Sequence, residues 1–303
     1  MSRGIKMADQ QDPTLQRIAI LVRRRTESDR KMGYVWMIVP LLPIAAAVAV
    51  GTILVGMLES IIPTLGSSPQ PTTAASTIQP LAGSIAAAYG VGIIVFFSVT
   101  LFGALSFYYL IDRRNRHFTR QQFLFSALHR YLVSKAPSSE KVAQLGFLSE
   151  DFSYSEKTRP AGPWAFLFMI FMITPIVSLI ASYNLTQDMQ RHDELQSQYQ
   201  AALSPSLVEA GFQQPDLPVY RSRKRDPVLF LILSAITGGL FWIYWYYTLL
   251  KDYNDHFTDQ ARFEDKILSL LIPPQIERKC GTCGGTVPSG ARFCPNCGRQ
   301  QTT

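Results

Sequence analysis

Four long runs of this chain are apolar, with no charged residue inside them: Tyr34 to Leu58, about Leu81 to Ile111, Trp164 to Tyr183, and Val228 to Leu250. Each holds roughly 20 residues or more, the number a helix rising ~1.5 Å per residue needs to cross ~30 Å of hydrocarbon. Buried core helices of a soluble protein rarely come as four uncharged runs, so the pattern predicts an all-α protein with four transmembrane helices, multi-pass in the cell membrane. The first run follows a 33-residue polar leader and has no small-residue cleavage site after it, so it reads as a retained anchor.

Lys and Arg positions orient such a chain. Eight lie before Tyr34, none between Leu58 and Leu81, and nine between Asp112 and Pro163. Both termini and the central loop are therefore expected on the cytoplasmic side. The cluster Arg221, Arg223, Lys224 and Arg225 opposes this, since it falls on the external side, yet 24 of the 29 basic residues remain inside. The net charge of +7 is thus mostly a topological signal and does not call for nucleic acid as a partner. The lipid bilayer is the expected partner. Anionic headgroups would be drawn to the clusters at about 1 kcal/mol per basic residue.

A shift of 139 residues lays the second run on the fourth, with nine of 21 positions identical from Leu101/Leu240 to Gln121/Gln260. The match includes Asn115-x-His117-Phe118-Thr119 and Asn254-x-His256-Phe257-Thr258. Beyond it, Leu124, Leu128, Tyr131 and Leu132 align with Phe263, Ile267, Leu270 and Leu271, an amphipathic helix stripe that could lie on a membrane. The first and third runs correspond more loosely, through Gly33-Tyr34 and Gly162 with Trp164, and through Pro43 and Pro175.

The expected architecture is therefore two tandem hairpin repeats. Residues 1–33 form a cytoplasmic segment. Repeat 1 spans 34–135, with an amphipathic helix over 119–135, and a cytoplasmic linker covers 136–163. Repeat 2 spans 164–275, with an external loop over 184–227 and an amphipathic helix over 258–272. If the copies meet around a two-fold axis, His117 and His256 could approach and share a metal or a pH-sensitive contact. The alternative is that Phe118 and Phe257 anchor at the interface while Thr119 and Thr258 cap the following helices.

All four cysteines lie in the tail, as Cys280-Gly-Thr-Cys283 and Cys294-Pro-Asn-Cys297-Gly. Thiolates two residues apart can both turn toward one ion, and four suit tetrahedral zinc; a reducing compartment argues against two disulfides. Residues 280–298 are therefore expected to bind structural Zn2+. Through Cys-Gly-Thr-Cys-Gly and Phe-Cys-Pro-Asn-Cys-Gly the tail resembles the short zinc-ribbon domains at the ends of many prokaryotic membrane proteins. That resemblance implies a structural metal and a surface for a cytoplasmic protein partner. Residues 225–255 contain Asp226-Pro227, Ile236-Thr237-Gly238-Gly239 and Ile243-Tyr244-Trp245-Tyr246. They resemble a family of uncharacterised prokaryotic membrane proteins known only as a domain of unknown function, which implies no activity.

No phosphate loop, nucleophile elbow or His-Glu-x-x-His helix is present, and no ionisable residue lies inside the spans. The sequence therefore predicts a non-enzymatic scaffold or sensor that uses the zinc ribbon to engage a partner. The rival is a small channel or transporter lined by Ser98, Thr100, Ser106, Ser178, Ser234 and Thr237.

Overall fold

A computed structural model describes residues 12–65, 74–170, 173–218, 224–272, 278–287 and 293–300. The protein is mostly helical. After α1 (Pro13–Arg23) and the short α2 (Arg25–Ser28), a 3-10 segment (Tyr34–Leu41) leads into α3 (Leu42–Leu65). Helix α4 (Ala74–Lys135) is 62 residues long, about 93 Å at 1.5 Å per residue. Then come α5 (Glu140–Ser155), α6 (Ala161–Phe168), α7 (Thr174–Glu209), α8 (Pro227–Ile236) and α9 (Leu240–Leu271), followed by a two-stranded ribbon, β1 (Arg278–Lys279) and β2 (Thr286–Val287).

Among the described residues two helices, not four, are long and apolar enough to cross a membrane: Tyr34–Glu59, and the apolar part of α4. The third and fourth runs are broken in the middle. In the fourth, Gly238 and Gly239 take φ of 60° and 93°, a region open at low cost only to glycine, and the Gly239 N–H closes α8 on the Ser234 carbonyl at 2.7 Å. The chain then turns back, so that Phe230 of α8 meets Phe241 and Trp245 of α9 at ring distances of 5.2 and 5.7 Å, and Arg225 pairs with Asp252 at 3.0 Å. The run is a helical hairpin with both ends on one side. At the aligned positions α4 carries Val99 and Thr100 and continues straight.

The third run behaves likewise. Helix α6 stops at Phe168, Pro175 occupies the first turn of α7, where its missing N–H is harmless, and the Thr174 hydroxyl takes up the Phe168 carbonyl at 2.9 Å. Arg159 before α6 pairs with Asp188 of α7, which closes the base of this hairpin. Phe107 of α4 stacks on Phe168 at 4.4 Å and on Trp242 at 6.3 Å, so both hairpin tips pack against α4.

These hairpins overturn further expectations. In the segment expected as an external loop, 184–227, the polar start at Asn184 to Leu203 reads from sequence as an extension of the third helix. It is indeed helical, as part of α7, which runs on to Glu209, but it packs into a core. Its Tyr199, Leu203 and Leu207 share one core with Leu15 and Ile18 of α1, Leu128 of α4 and Ile267 of α9. Segment 184–209 therefore packs in the same core as 12–28 and 119–135. The linker 136–163 contains α5, which buries Val142, Leu145 and Phe152 in that core. The amphipathic stripes 119–135 and 258–272 are not separate surface helices; they are the outer parts of α4 and α9, facing the same core. Of the Arg221–Arg225 cluster, Arg221 and Arg223 lie outside the described residues, while Arg225 sits beside Asp252.

Candidate metal centres

Beyond the hairpins, α4, α7 and α9 run side by side in one direction, and their buried positions share one spacing. His117, His192 and His256 form a layer. One helical turn further, Gln121, Gln196 and Gln260 form another, followed by Leu128, Leu203 and Ile267 among the aliphatic positions. Gln121 donates to Gln196 at 3.1 Å, and Gln196 in turn donates to Gln260. Each helix thus presents His-x-x-x-Gln, the i, i+4 spacing that puts two side chains on one face.

His117 Nε2 and His256 Nε2 are 3.0 Å apart, and one ring nitrogen from each of the three histidines lies within 4.8 Å of the others. The outer nitrogens all face carboxylates. Nδ1 of His117 is 2.9 Å from Asp29, that of His192 hydrogen-bonds Glu156, and that of His256 is 3.0 Å from Asp193. The last contact is within ion-pair reach but is not aligned as a hydrogen bond. His192 Nε2 is buried without a hydrogen-bond partner. The phenylalanines of the repeated motif pack on these rings rather than anchoring at an interface: Phe118 stacks on His192 at 4.1 Å, and Phe257 lies 4.7 Å from His117. Thr258 returns its hydroxyl to the Asn254 carbonyl within α9, so it caps no helix.

Burial sets the charge state. It lowers His117 to about 3, against the opposing pull of Asp29, and pushes His192 well below the ordinary histidine range. Burial would raise Asp29, but His117 and Arg120 outweigh it and hold this carboxyl well below the usual range. Glu156 is pushed up to about 8 by burial, an effect only partly offset by nearby His117 and Arg114.

Arg120 closes the layer from beside it. Its guanidinium reaches Asp29 at 2.7 Å and Glu264 at 2.8 Å, and donates to Ser28 at 2.8 Å. The two motif asparagines act reciprocally. Asn115 binds the backbone N–H and carbonyl of Arg159, just ahead of the third run, while Asn254 binds those of Met32, just ahead of the first. Replacing Asn254 with Ala would leave this backbone latch open, at about 1–3 kcal/mol, read as faster amide hydrogen exchange around Met32.

In the tail, Cys280, Cys283, Cys294 and Cys297 also converge within 4.8 Å, with Sγ–Sγ distances of 3.8 Å (Cys280–Cys297) and 3.6 Å (Cys283–Cys294). Four sulfurs ~2.3 Å from a tetrahedral ion stand about 3.8 Å apart, whereas a disulfide needs ~2.05 Å. Each knuckle is turned by a glycine of positive φ, Gly284 (66°) and Gly298 (69°), whose N–H bonds the carbonyl of Cys280 or Cys294. The donor set fits a metal ion.

The structure brings His117 and His256 together as the repeat suggested, and adds His192, which repeat alignment could not find because it lies outside the matched segments. A signal was present: three of the four histidines are followed by Gln at i+4. The hydroxyls expected to line a path have partners within the protein. Ser98, Thr100, Ser178, Ser234 and Thr237 bond carbonyls of their own helices, and Ser106 bonds Tyr246.

Fold and sites together define a mostly helical protein with two candidate membrane helices and a four-cysteine cluster that can hold a metal. The chain matches no family model, no curated protein and no solved structure.

Proposed function

We propose that this protein is a membrane-anchored scaffold or sensor of non-enzymatic character, whose cytoplasmic four-cysteine ribbon holds structural zinc and docks a protein partner. Four converging cysteine sulfurs carry this reading: a closed thiolate set leaves no position for substrate, and small zinc ribbons serve as rigid surfaces. Two helices cross the bilayer. The hairpins α6–α7 and α8–α9 dip into it from the cytoplasmic side, where both termini lie.

The exposure pattern supports that insertion. Phe166, Ile176, Ile236 and Leu240 near the hairpin tips stand 59–77% exposed, a costly arrangement in water and a natural one in lipid. Helix α8 has 10 residues, about 15 Å, half the ~30 Å of hydrocarbon. In this topology Lys224 and Arg225 join the other basic residues on the inner face, where anionic headgroups would meet them.

Affinity capture with the full chain tests the docking role. A variant with all four cysteines replaced by serine is expected to lose its zinc and its specific partners while the helical region keeps its circular dichroism. An unchanged set of captured proteins would count against ribbon docking.

A further inference from the structure

We infer that the layer of His117, His192 and His256 is a second metal site, binding one divalent transition ion through the inward nitrogen of each ring. Three observations lead there. First, His117 Nε2 and His256 Nε2 face each other at 3.0 Å while their other nitrogens face Asp29 and Asp193. One proton between them makes an ordinary hydrogen bond, and an ion seated between the rings is the other arrangement that satisfies both nitrogens. A tetrahedral ion with ~2.05 Å bonds to nitrogen places its ligands about 3.3 Å apart, which suits the same rings.

Second, each ring is backed by its own carboxylate: Asp29, Glu156 and Asp193. The Asp29 carboxylate, hydrogen-bonded to His117 Nδ1, favours the tautomer that turns an accepting nitrogen inward and raises its basicity toward a metal, while Asp193 stands beside His256 as a nearby negative charge. Third, His192 uses Nδ1 on Glu156 and leaves Nε2 fully buried without a hydrogen bond. An orphaned buried nitrogen is destabilising unless something absent from the protein atoms occupies it.

The donor set selects the ion. Three imidazoles favour zinc, cobalt, nickel or copper over magnesium or calcium. With one ligand from each helix, the ion would tie α4, α7 and α9 together, and three protein ligands leave one position open. This site is independent of the ribbon, because it uses nitrogen donors on other segments.

Untagged full-length protein in detergent, loaded with Co2+ alone, tests the site. The four-serine ribbon variant is expected to bind one cobalt per chain, with the visible absorption of a tetrahedral nitrogen-and-oxygen site and no thiolate charge-transfer band. Adding His192→Ala should abolish that binding. In wild-type protein the count should be two, falling to one with thiolate character in His192→Ala. A folded ribbon variant that binds no cobalt, or a wild-type chain whose only cobalt is thiolate-bound, would overturn the inference. A wild-type chain holding only the nitrogen-bound cobalt would support it and count instead against the ribbon. If His192→Ala does not fold, Glu156→Gln should weaken binding on the order of 10-fold to 100-fold. Unchanged affinity in that folded variant would overturn the assignment.

Discussion

Replacing Arg120 with alanine is expected to destabilise the helical domain by about 3–5 kcal/mol, one of the largest effects of any single substitution in this chain. The guanidinium is 5% exposed and is the shared partner of two carboxylates, Asp29 and Glu264, both almost fully buried. Removing it strands two negative charges where water cannot reach. The unfolding midpoint should fall by roughly 6–20 °C, measured by circular dichroism in detergent.

The pH dependence gives this prediction a sign. Without Arg120, the folded-state pKa of Glu264, already raised by burial, should rise further above its unfolded value. A carboxyl raised on folding destabilises the native state at high pH, and the penalty fades as pH falls through the folded pKa. The deficit should therefore be larger at pH 8 than at pH 5. The double variant Arg120→Met with Glu264→Gln should recover part of the loss. A single-variant deficit below about 1 kcal/mol would mean the arginine behaves as a surface charge.

The second large expectation concerns sidedness. A single cysteine at Lys224, in a background whose four ribbon cysteines are serines, should react with a membrane-impermeant maleimide from the same side as one at Lys141. A helix crossing the bilayer between Val228 and Leu250 would put residue 224 on the opposite side, so the outcome is close to all-or-none. This expectation rests on the Arg225–Asp252 pair and the left-handed backbone of Gly238 and Gly239, which bring the two ends of the run together. Gly239→Ala should cost about 1–2 kcal/mol and weaken the hairpin without removing any contact. Labelling of residue 224 from the far side only would restore the crossing.

Sequence reading went furthest where chemistry is local. Cys-x-x-Cys spacing located the tail cluster, and the repeated Asn-x-His-Phe-Thr offered the approach of His117 and His256 as one of two readings, the other being interface anchoring by Phe118 and Phe257, toward which the sequence leaned. It failed where apolar composition has two physical solutions. About 20 uncharged residues suit either one crossing helix or a hairpin of two half-length helices, and hydropathy alone cannot separate them. Gly238-Gly239 held the answer, since two adjacent glycines can turn a helix end back on itself. The basic cluster near Arg225 carried the same message, for it opposed the four-pass topology and suits the hairpin. His192 was hidden by its setting in a polar, Gln-rich stretch that reads as a solvated helix.

The reciprocal asparagine latches impose an order on how this protein is made. Met32 is held by Asn254, 222 residues later, so the first half of the chain leaves the ribosome with its entry segment unfastened. Asn115 fastens Arg159 much earlier, 44 residues apart. The nascent chain therefore first acquires a half-assembled domain with α1 unable to seat against the missing α9. Contacts this distant in sequence form slowly and late. Completion of α9 is the event that locks the N-terminal segment over the histidine layer.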